Sequence, residues 1–159
     1  MLKYAPVILF LYLLNQGAYA GQTLQVTKKM KLETSSEIVW DYVGDFCAIK
    51  EWHPAVAKCD ITEEDSGKFR ILTLQDGAII KEKHGGNNPT GYMYSITESP
   101  LPVKNYNALF EVDSNGNHSI ITWTATFLAK DKPDNEAKEV ISGIFDAGLA
   151  SIKENLKQK

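Results

Sequence analysis

The chain has 159 residues and carries 17 basic against 20 acidic side chains, giving a formal net charge of −3 at pH 7. This mildly acidic balance argues against nucleic acid or an anionic membrane as the main partner, since both attract clustered positive charge. The length suits one compact domain, and no internal repeat divides it.

Residues 1–20 have the pattern of a secretory signal peptide. The basic residue Lys3 precedes an apolar run over 7–14, and the small residues Ala18 and Ala20 mark a cleavage site. The apolar run is shorter than the roughly 20 residues that a membrane-spanning helix needs. We therefore expect export and cleavage rather than a membrane anchor.

The exported segment, 21–159, is predicted to be a single domain and contains both cysteines, Cys47 and Cys59. In an oxidising compartment a bridge between them would close a short loop and add about 2–3 kcal/mol to the free energy of unfolding. The alternative is two buried thiols. The pair lacks metal-ligand spacing and the three histidines are scattered, so we expect no metal site.

The first predicted elements are a strand and two short helices. Apolar and polar residues alternate over 24–32, which predicts a half-buried strand. Ser35 or Ser36 can cap the first helix, Gly44 ends it, and a second turn or helix covers 46–52. The predicted apolar face of the first helix comprises Ile38, Val39, Tyr42 and Val43.

From Val56 to Leu128 the hydrophobic period is two, interrupted by turn signals. This pattern predicts six further strands with no crossover helix, and hence an antiparallel meander. A final helix begins after Pro133 and runs to about Leu156. Its predicted buried stripe comprises Val140, Ile141, Ile144, Phe145, Gly148, Ile152 and Leu156. Glycine at 143 and 148 indicates either a close approach to the sheet or chance.

The strand parity places polar side chains on the buried face of the sheet. On one strand Arg70 has the same parity as the apolar Leu72, so both side chains are expected to point inward. On the next strand Glu82 shares the inward face with Ile80 for the same reason. A three-residue loop at 76–78 would pair Leu72 with Glu82 and leave Arg70 within diagonal reach of that carboxylate. Further residues predicted to face inward are Tyr92, Tyr94, Ile96, Tyr106, Ala108, Phe110, Val112, Ile121, Trp123, Ala125 and Phe127.

So many polar tips on one buried face predict a partly wet, half-polar cavity between sheet and helix, because burying them without partners is costly. The other interpretation is that Arg70 and Glu82 form a structural ion pair and the tyrosines reach solvent at the rim. The candidate ligand-cavity residues are Trp52, His53, Arg70, Leu72, Glu82, Tyr92, Tyr94, Tyr106, Trp123, Phe145 and Leu149.

The order strand, two short helices, six strands, long helix covers nearly all of residues 22–157. The residues that carry a family pattern are Val39-Trp40, Gly44-Asp45-Phe46, Trp52-His53-Pro54, Arg70-x-Leu72-x-Leu74, Glu82, Tyr92-x-Tyr94-x-Ile96, Pro100-Leu101-Pro102-Val103, and Trp123 with Phe127. Together they resemble the START-like (SRPBCC) superfamily, including its polyketide cyclase/dehydrase-like branch. The resemblance implies an α+β helix-grip fold, in which a seven-stranded antiparallel sheet wraps around a long C-terminal helix and two short helices follow strand 1.

With its export signal, the chain resembles the MxaD-type proteins of bacterial methanol oxidation. That resemblance implies a periplasmic accessory protein, without catalytic residues or a cofactor of its own, that assists methanol dehydrogenase and its cytochrome c acceptor. Its cavity would hold a small amphipathic or hydrophobic ligand.

The superfamily also implies an alternative, which is a polyketide cyclase/dehydrase-like enzyme or a carrier of hydrophobic ligands or lipids. In the enzyme, Glu82, His53 or a tyrosine would be the acid or base. Glu82 facing Arg70 suits ion pairing better than proton abstraction, and His53 before Pro54 suits a structural hydrogen bond better than catalysis. No Ser-His-Asp order, phosphate-binding glycine loop or haem-attachment motif is present.

Overall fold

The computed structural model describes residues 21–157, so the predicted signal peptide, 1–20, lies outside the described residues. The predicted helix-grip architecture is confirmed. The strands are β1 Leu24–Leu32, β2 Val56–Glu64, β3 Gly67–Leu74, β4 Ile79–Asn88, β5 Gly91–Glu98, β6 Val103–Asn115 and β7 His118–Ala129. The helices are α1 Ser36–Val43, α2 Ile49–Trp52 and α3 Asp134–Lys157.

The sheet is a meander that the first strand completes. Its order is β1-β7-β6-β5-β4-β3-β2, and every neighbouring pair is antiparallel. β1 joins the far edge of the meander, with Leu24 opposite Phe127 and Leu32 opposite Ser119. Alternate residues of the long strands are buried on the face that packs against α3, which makes this face the main wall of the core.

Helix α3 packs along the sheet through one continuous apolar stripe. Its buried residues are Ala137, Ile141, Phe145, Gly148, Leu149, Ile152 and Leu156, at the predicted spacing of three or four. The prediction was wrong for Val140, which is 40% exposed, and Ala137 supplies the first turn of the stripe instead. Ile38 of α1 is likewise 53% exposed, because the buried residues Val39 and Val43 face the core and Ile38 lies on the flank. Among residues 21–157, no helix has both the length and the apolar character to cross a bilayer.

The β3–β4 hairpin has the predicted parity but a different register. Arg70 directly opposes Glu82, so the predicted diagonal arrangement was wrong by two residues. Gly77 has a φ of 86°, a left-handed conformation that glycine adopts readily. It is the last residue of a three-residue loop, which covers 75–77 rather than the predicted 76–78. Because a shift of two residues preserves the face of every side chain, both charged groups still point inward.

Gly148 allows α3 to approach the α2 region and β7 closely. A Cβ at this position would lie 2.7 Å from His53 Cδ2 and 3.1 Å from ring carbons of Trp52 and Trp123. A Cβ at Gly143 would meet nothing within 4 Å. The close-approach interpretation therefore holds for residue 148 and not for residue 143.

Replacing these two glycines by alanine should change stability in opposite directions. Gly148→Ala overpacks a ring cluster and should lower the free energy of unfolding by about 1–3 kcal/mol. Gly143→Ala adds only helix propensity and should raise it by up to about 1 kcal/mol. Urea unfolding of both variants measures the difference, and a stabilised Gly148→Ala protein would contradict the close contact.

Candidate functional site

A cavity of about 70 Å³ lies between the sheet and α3. Seven of the eleven predicted cavity residues form its wall, namely His53, Leu72, Glu82, Tyr94, Tyr106, Trp123 and Phe145. The wall residues that were not among those candidates are Ile49, Ala55, Val56, Leu74, Ile80, Ile96, Leu101, Ile141 and Ile144. All nine of these additional residues are aliphatic, so the cavity is far more apolar than the predicted half-polar hollow.

The other four predicted residues, Trp52, Arg70, Tyr92 and Leu149, are buried but do not line the cavity. Trp52 and Tyr92 each stack on Phe110, with ring centroids 5.5 and 5.7 Å from it. These rings fill one end of the space beneath α3. The hollow is therefore confined to the other end.

The cavity reaches the protein surface at the edge where β3 and β5 end. Ala55 is exposed there, and Leu74, Ile96, Leu101 and Ile144 are half-buried. The deeper wall residues are almost fully buried. The mouth is therefore bordered by apolar side chains from four strand ends or loops and from α3.

Arg70 and Glu82 form a buried ion pair beside the cavity. Arg70 Nε donates to Glu82 Oε2 at 2.5 Å, and Arg70 Nη1 donates to the backbone carbonyl of Phe46. The guanidinium carbon lies 4.2 Å from the Phe46 ring centroid and 5.0 Å from that of Tyr94. Burial lowers the pKa of the Arg70 guanidinium, but the charge of Glu82, the neighbouring Tyr92 and Tyr94, and the hydrogen bond to Glu82 together raise it further than burial lowers it. Glu82 is thus engaged in a buried ion pair, as the structural interpretation expected.

His53 links the end of α2 to the middle of α3. Its Nδ1 accepts the backbone N–H of Ala55 at 3.2 Å, so Nε2 carries the proton and donates to the carbonyl of Ile144 at 3.0 Å. Burial lowers the pKa of the imidazole, and the hydrogen bond to Ile144 opposes this only in part. Both ring nitrogens are occupied in the neutral form, which suits a structural role.

A hydrogen-bonded group of aromatic residues forms the polar part of the wall. Trp123 Nε1 donates to the Tyr94 hydroxyl at 3.0 Å, and the Tyr94 and Tyr106 oxygens lie 3.4 Å apart. Burial raises the pKa of both phenols, so both remain protonated at neutral pH. Their hydroxyls can therefore donate hydrogen bonds but cannot act as bases.

Cys47 and Cys59 are joined in the structure, with their Cα atoms 5.6 Å apart. The bond ties the α1–α2 junction to β2, next to the Phe46 carbonyl that Arg70 holds. The segment that positions His53 is thus attached to the sheet by a covalent bond and by an ion-paired arginine. Within residues 21–157, no three His, Cys, Asp or Glu side chains are grouped so as to hold a metal ion.

Protonation of His53 should destabilise the fold in mildly acidic solution. In the unfolded chain the imidazole titrates near pH 6.5, whereas its pKa in the folded protein is lower, so the unfolded state binds the proton first as the pH falls. The free energy of unfolding should therefore decrease as the pH falls below 6.5, until the pH reaches the lower folded pKa.

Urea unfolding at a series of pH values measures this effect. His53→Gln should show a shallower decrease than the wild-type protein. Equal pH dependence in wild type and His53→Gln would rule out the buried neutral imidazole.

Comparison with known proteins places this chain in a family. The family model described as polyketide cyclase/dehydrase and lipid transport matches residues 23–157. No curated protein matches the chain. An uncharacterised protein of Bacillus thuringiensis is 30% identical, with a TM-score of 0.78 over 83% of this chain and 98% of that one.

Two further solved structures have the same fold. The protein XoxI of Bacillus cereus is also 30% identical, with a TM-score of 0.77 over 82% of this chain and 94% of that one. A START superfamily protein of Mycobacterium smegmatis, 15% identical, has a TM-score of 0.72 over 84% of this chain and 97% of that one. With the family model matching most of its length, this chain belongs to the polyketide cyclase/dehydrase and lipid transport family.

Proposed function

We propose that this protein is a non-catalytic binding protein that holds a small, mainly apolar molecule between its sheet and α3. We further propose that it works in the periplasm as an accessory to methanol dehydrogenase and the cytochrome c that accepts its electrons. The first part rests on the cavity, and the second extends it through the sequence resemblance to MxaD-type proteins.

One observation carries the binding function, which is that the carboxylate and the imidazole of the cavity wall are both already engaged. Glu82 is paired with Arg70, and both nitrogens of His53 are bonded to backbone groups. The two phenols of the wall have raised pKa values. General acid–base catalysis needs a titratable group that is free to exchange a proton with a substrate. A binding role makes no such demand.

The size of the cavity favours a small ligand over the alternatives. Pockets for drug-sized molecules usually measure about 300–1,000 Å³, whereas this cavity measures about 70 Å³. A polyketide or an acyl chain would need the sheet and α3 to separate further. We therefore do not propose the cyclase/dehydrase or lipid-carrier alternative.

Three features support the periplasmic accessory role. Residues 1–20 have the pattern of an export signal, and the Cys47–Cys59 bond is of a kind that persists in oxidising compartments. Loss of the only charged leader residue, Lys3, would leave 16 basic against 20 acidic residues and a formal charge of −4. An acidic surface is compatible with electrostatic steering towards a basic protein partner.

Xenon tests whether the cavity accepts a guest, because this apolar probe enters dry internal cavities. Xenon should cause saturable shifts in the NMR signals of wall residues such as Leu72 and Ile141. Ile144→Phe, which places a larger side chain at the cavity wall, should weaken the shifts, while Val140→Phe, one turn away on the exposed flank of α3, should leave them. Absence of saturable shifts in the wild-type protein would refute the binding function.

Purified methanol dehydrogenase and its cytochrome c test the accessory role. Adding this protein should increase the rate of methanol-dependent cytochrome reduction, and no cytochrome reduction should occur when the dehydrogenase is omitted. The effect should weaken with rising salt if acidic surface charge guides the contact. An unchanged rate over a wide range of protein concentrations would exclude this role.

A further inference from the structure

One O–H group of the Tyr94–Tyr106 pair on the cavity wall is left without an acceptor among the described residues. Trp123 donates its N–H to the Tyr94 oxygen, and a single contact of 3.4 Å joins the two phenolic oxygens. Each phenol carries one O–H proton. Whichever tyrosine donates across that contact, the other keeps a proton that has no acceptor among residues 21–157. We call this group the spare hydroxyl.

The spare hydroxyl is buried and belongs to the cavity. Tyr94 and Tyr106 are 4% and 3% exposed, and both form part of the cavity wall. A buried polar group without a partner costs about 1–3 kcal/mol. A guest that supplies an acceptor atom would remove this cost, so the empty cavity already favours one kind of ligand.

The remaining wall favours a neutral ligand. Among the described residues that line the cavity there is no lysine or arginine, so an anion would face Glu82 without a compensating charge. A cation would have to compete with Arg70, which already binds Glu82. A charged group that is not paired is costly to bury among aliphatic side chains such as those of Leu72 and Ile80.

We propose that the cavity binds a neutral molecule of a few heavy atoms that carries one carbonyl or hydroxyl oxygen, and that this oxygen accepts the spare hydroxyl of the Tyr94–Tyr106 pair. The inference rests on the proposed binding function and adds the chemical class of the ligand. The aliphatic residues Leu72, Ile80 and Ile141 contact its hydrocarbon part. The size follows from the volume, since 70 Å³ is about half of the roughly 150 Å³ that hold benzene.

Acetone and isobutene are matched probes, because they share one shape and differ in an oxygen atom against a methylene group. NMR titration gives the dissociation constant of each for the wild-type protein, for Tyr106→Phe and for the double variant Tyr94→Phe/Tyr106→Phe. Removing both hydroxyls should weaken acetone binding by about two- to tenfold and leave isobutene binding unchanged or stronger. Tyr106→Phe alone should weaken acetone binding less, because Tyr94 then has the spare hydroxyl.

Tyr42→Phe is the control, since Tyr42 does not line the cavity and its hydroxyl bonds Glu51 and Asn155 instead. It should leave both dissociation constants unchanged. The carbonyl ¹³C shift of bound acetone gives a second measurement on the wild-type protein. A shift typical of a hydrogen-bonded ketone supports the proposal, and one typical of acetone in hydrocarbon overturns it even if the double variant does not fold.

The outcomes separate this inference from the binding function beneath it. If xenon enters the cavity but acetone and isobutene affinities change in the same proportion in the double variant, the oxygen contact is refuted and the binding function stands. If xenon does not enter, the binding function fails as well. 2-Propanol distinguishes the two oxygen types, since tighter binding than acetone assigns a hydroxyl and weaker binding assigns a carbonyl.

Discussion

The buried guanidinium of Arg70 constrains the whole α2 side of this protein. A charge without solvent contact must find its partners inside the fold, and here they come from three separate segments. Glu82 supplies the counter-charge from β4, the Phe46 carbonyl supplies an acceptor from the α1–α2 junction, and the Phe46 and Tyr94 rings enclose the cation. Removing one partner would leave the charge uncompensated, so the arrangement specifies where the short helices sit against the sheet.

The contact between His53 and α3 closes the opposite side of the same space. The neutral imidazole of His53 is hydrogen-bonded at both nitrogens and lies against Gly148. These contacts set the distance between α2 and α3. The rings of Trp52, Tyr92 and Phe110 fill the space on one side of this contact. Trp123, stacked on Phe145 with centroids 4.1 Å apart, borders the cavity. The cavity is the remaining volume on the other side. Its small size is therefore a consequence of how closely α3 approaches the sheet.

Periodicity in the sequence was sufficient to predict the strands, the helices and their inner faces, because strand parity and helical spacing depend on local patterns alone. The helix-grip arrangement of these elements followed from the family resemblance. The inward position of Arg70 and Glu82 followed from the neighbouring Leu72 and Ile80. Their exact pairing did not, since it depended on which loop residue takes the left-handed conformation, and Gly77 decided it.

The cavity wall was predictable only in part for a related reason. Parity separates inner from outer residues, but it carries no information on how far along a strand the packing stops. Tyr92 and Tyr94 are both inward, yet only Tyr94 lines the cavity, because the rings around Phe110 fill the space beside Tyr92.

The pairing of β1 with β7 has a consequence for folding. Leu24 and Phe127, which pair across these strands, are separated by about a hundred residues of chain. Because contacts between residues so far apart in sequence form slowly, the sheet should close late and the chain should fold more slowly than a helical bundle of equal size.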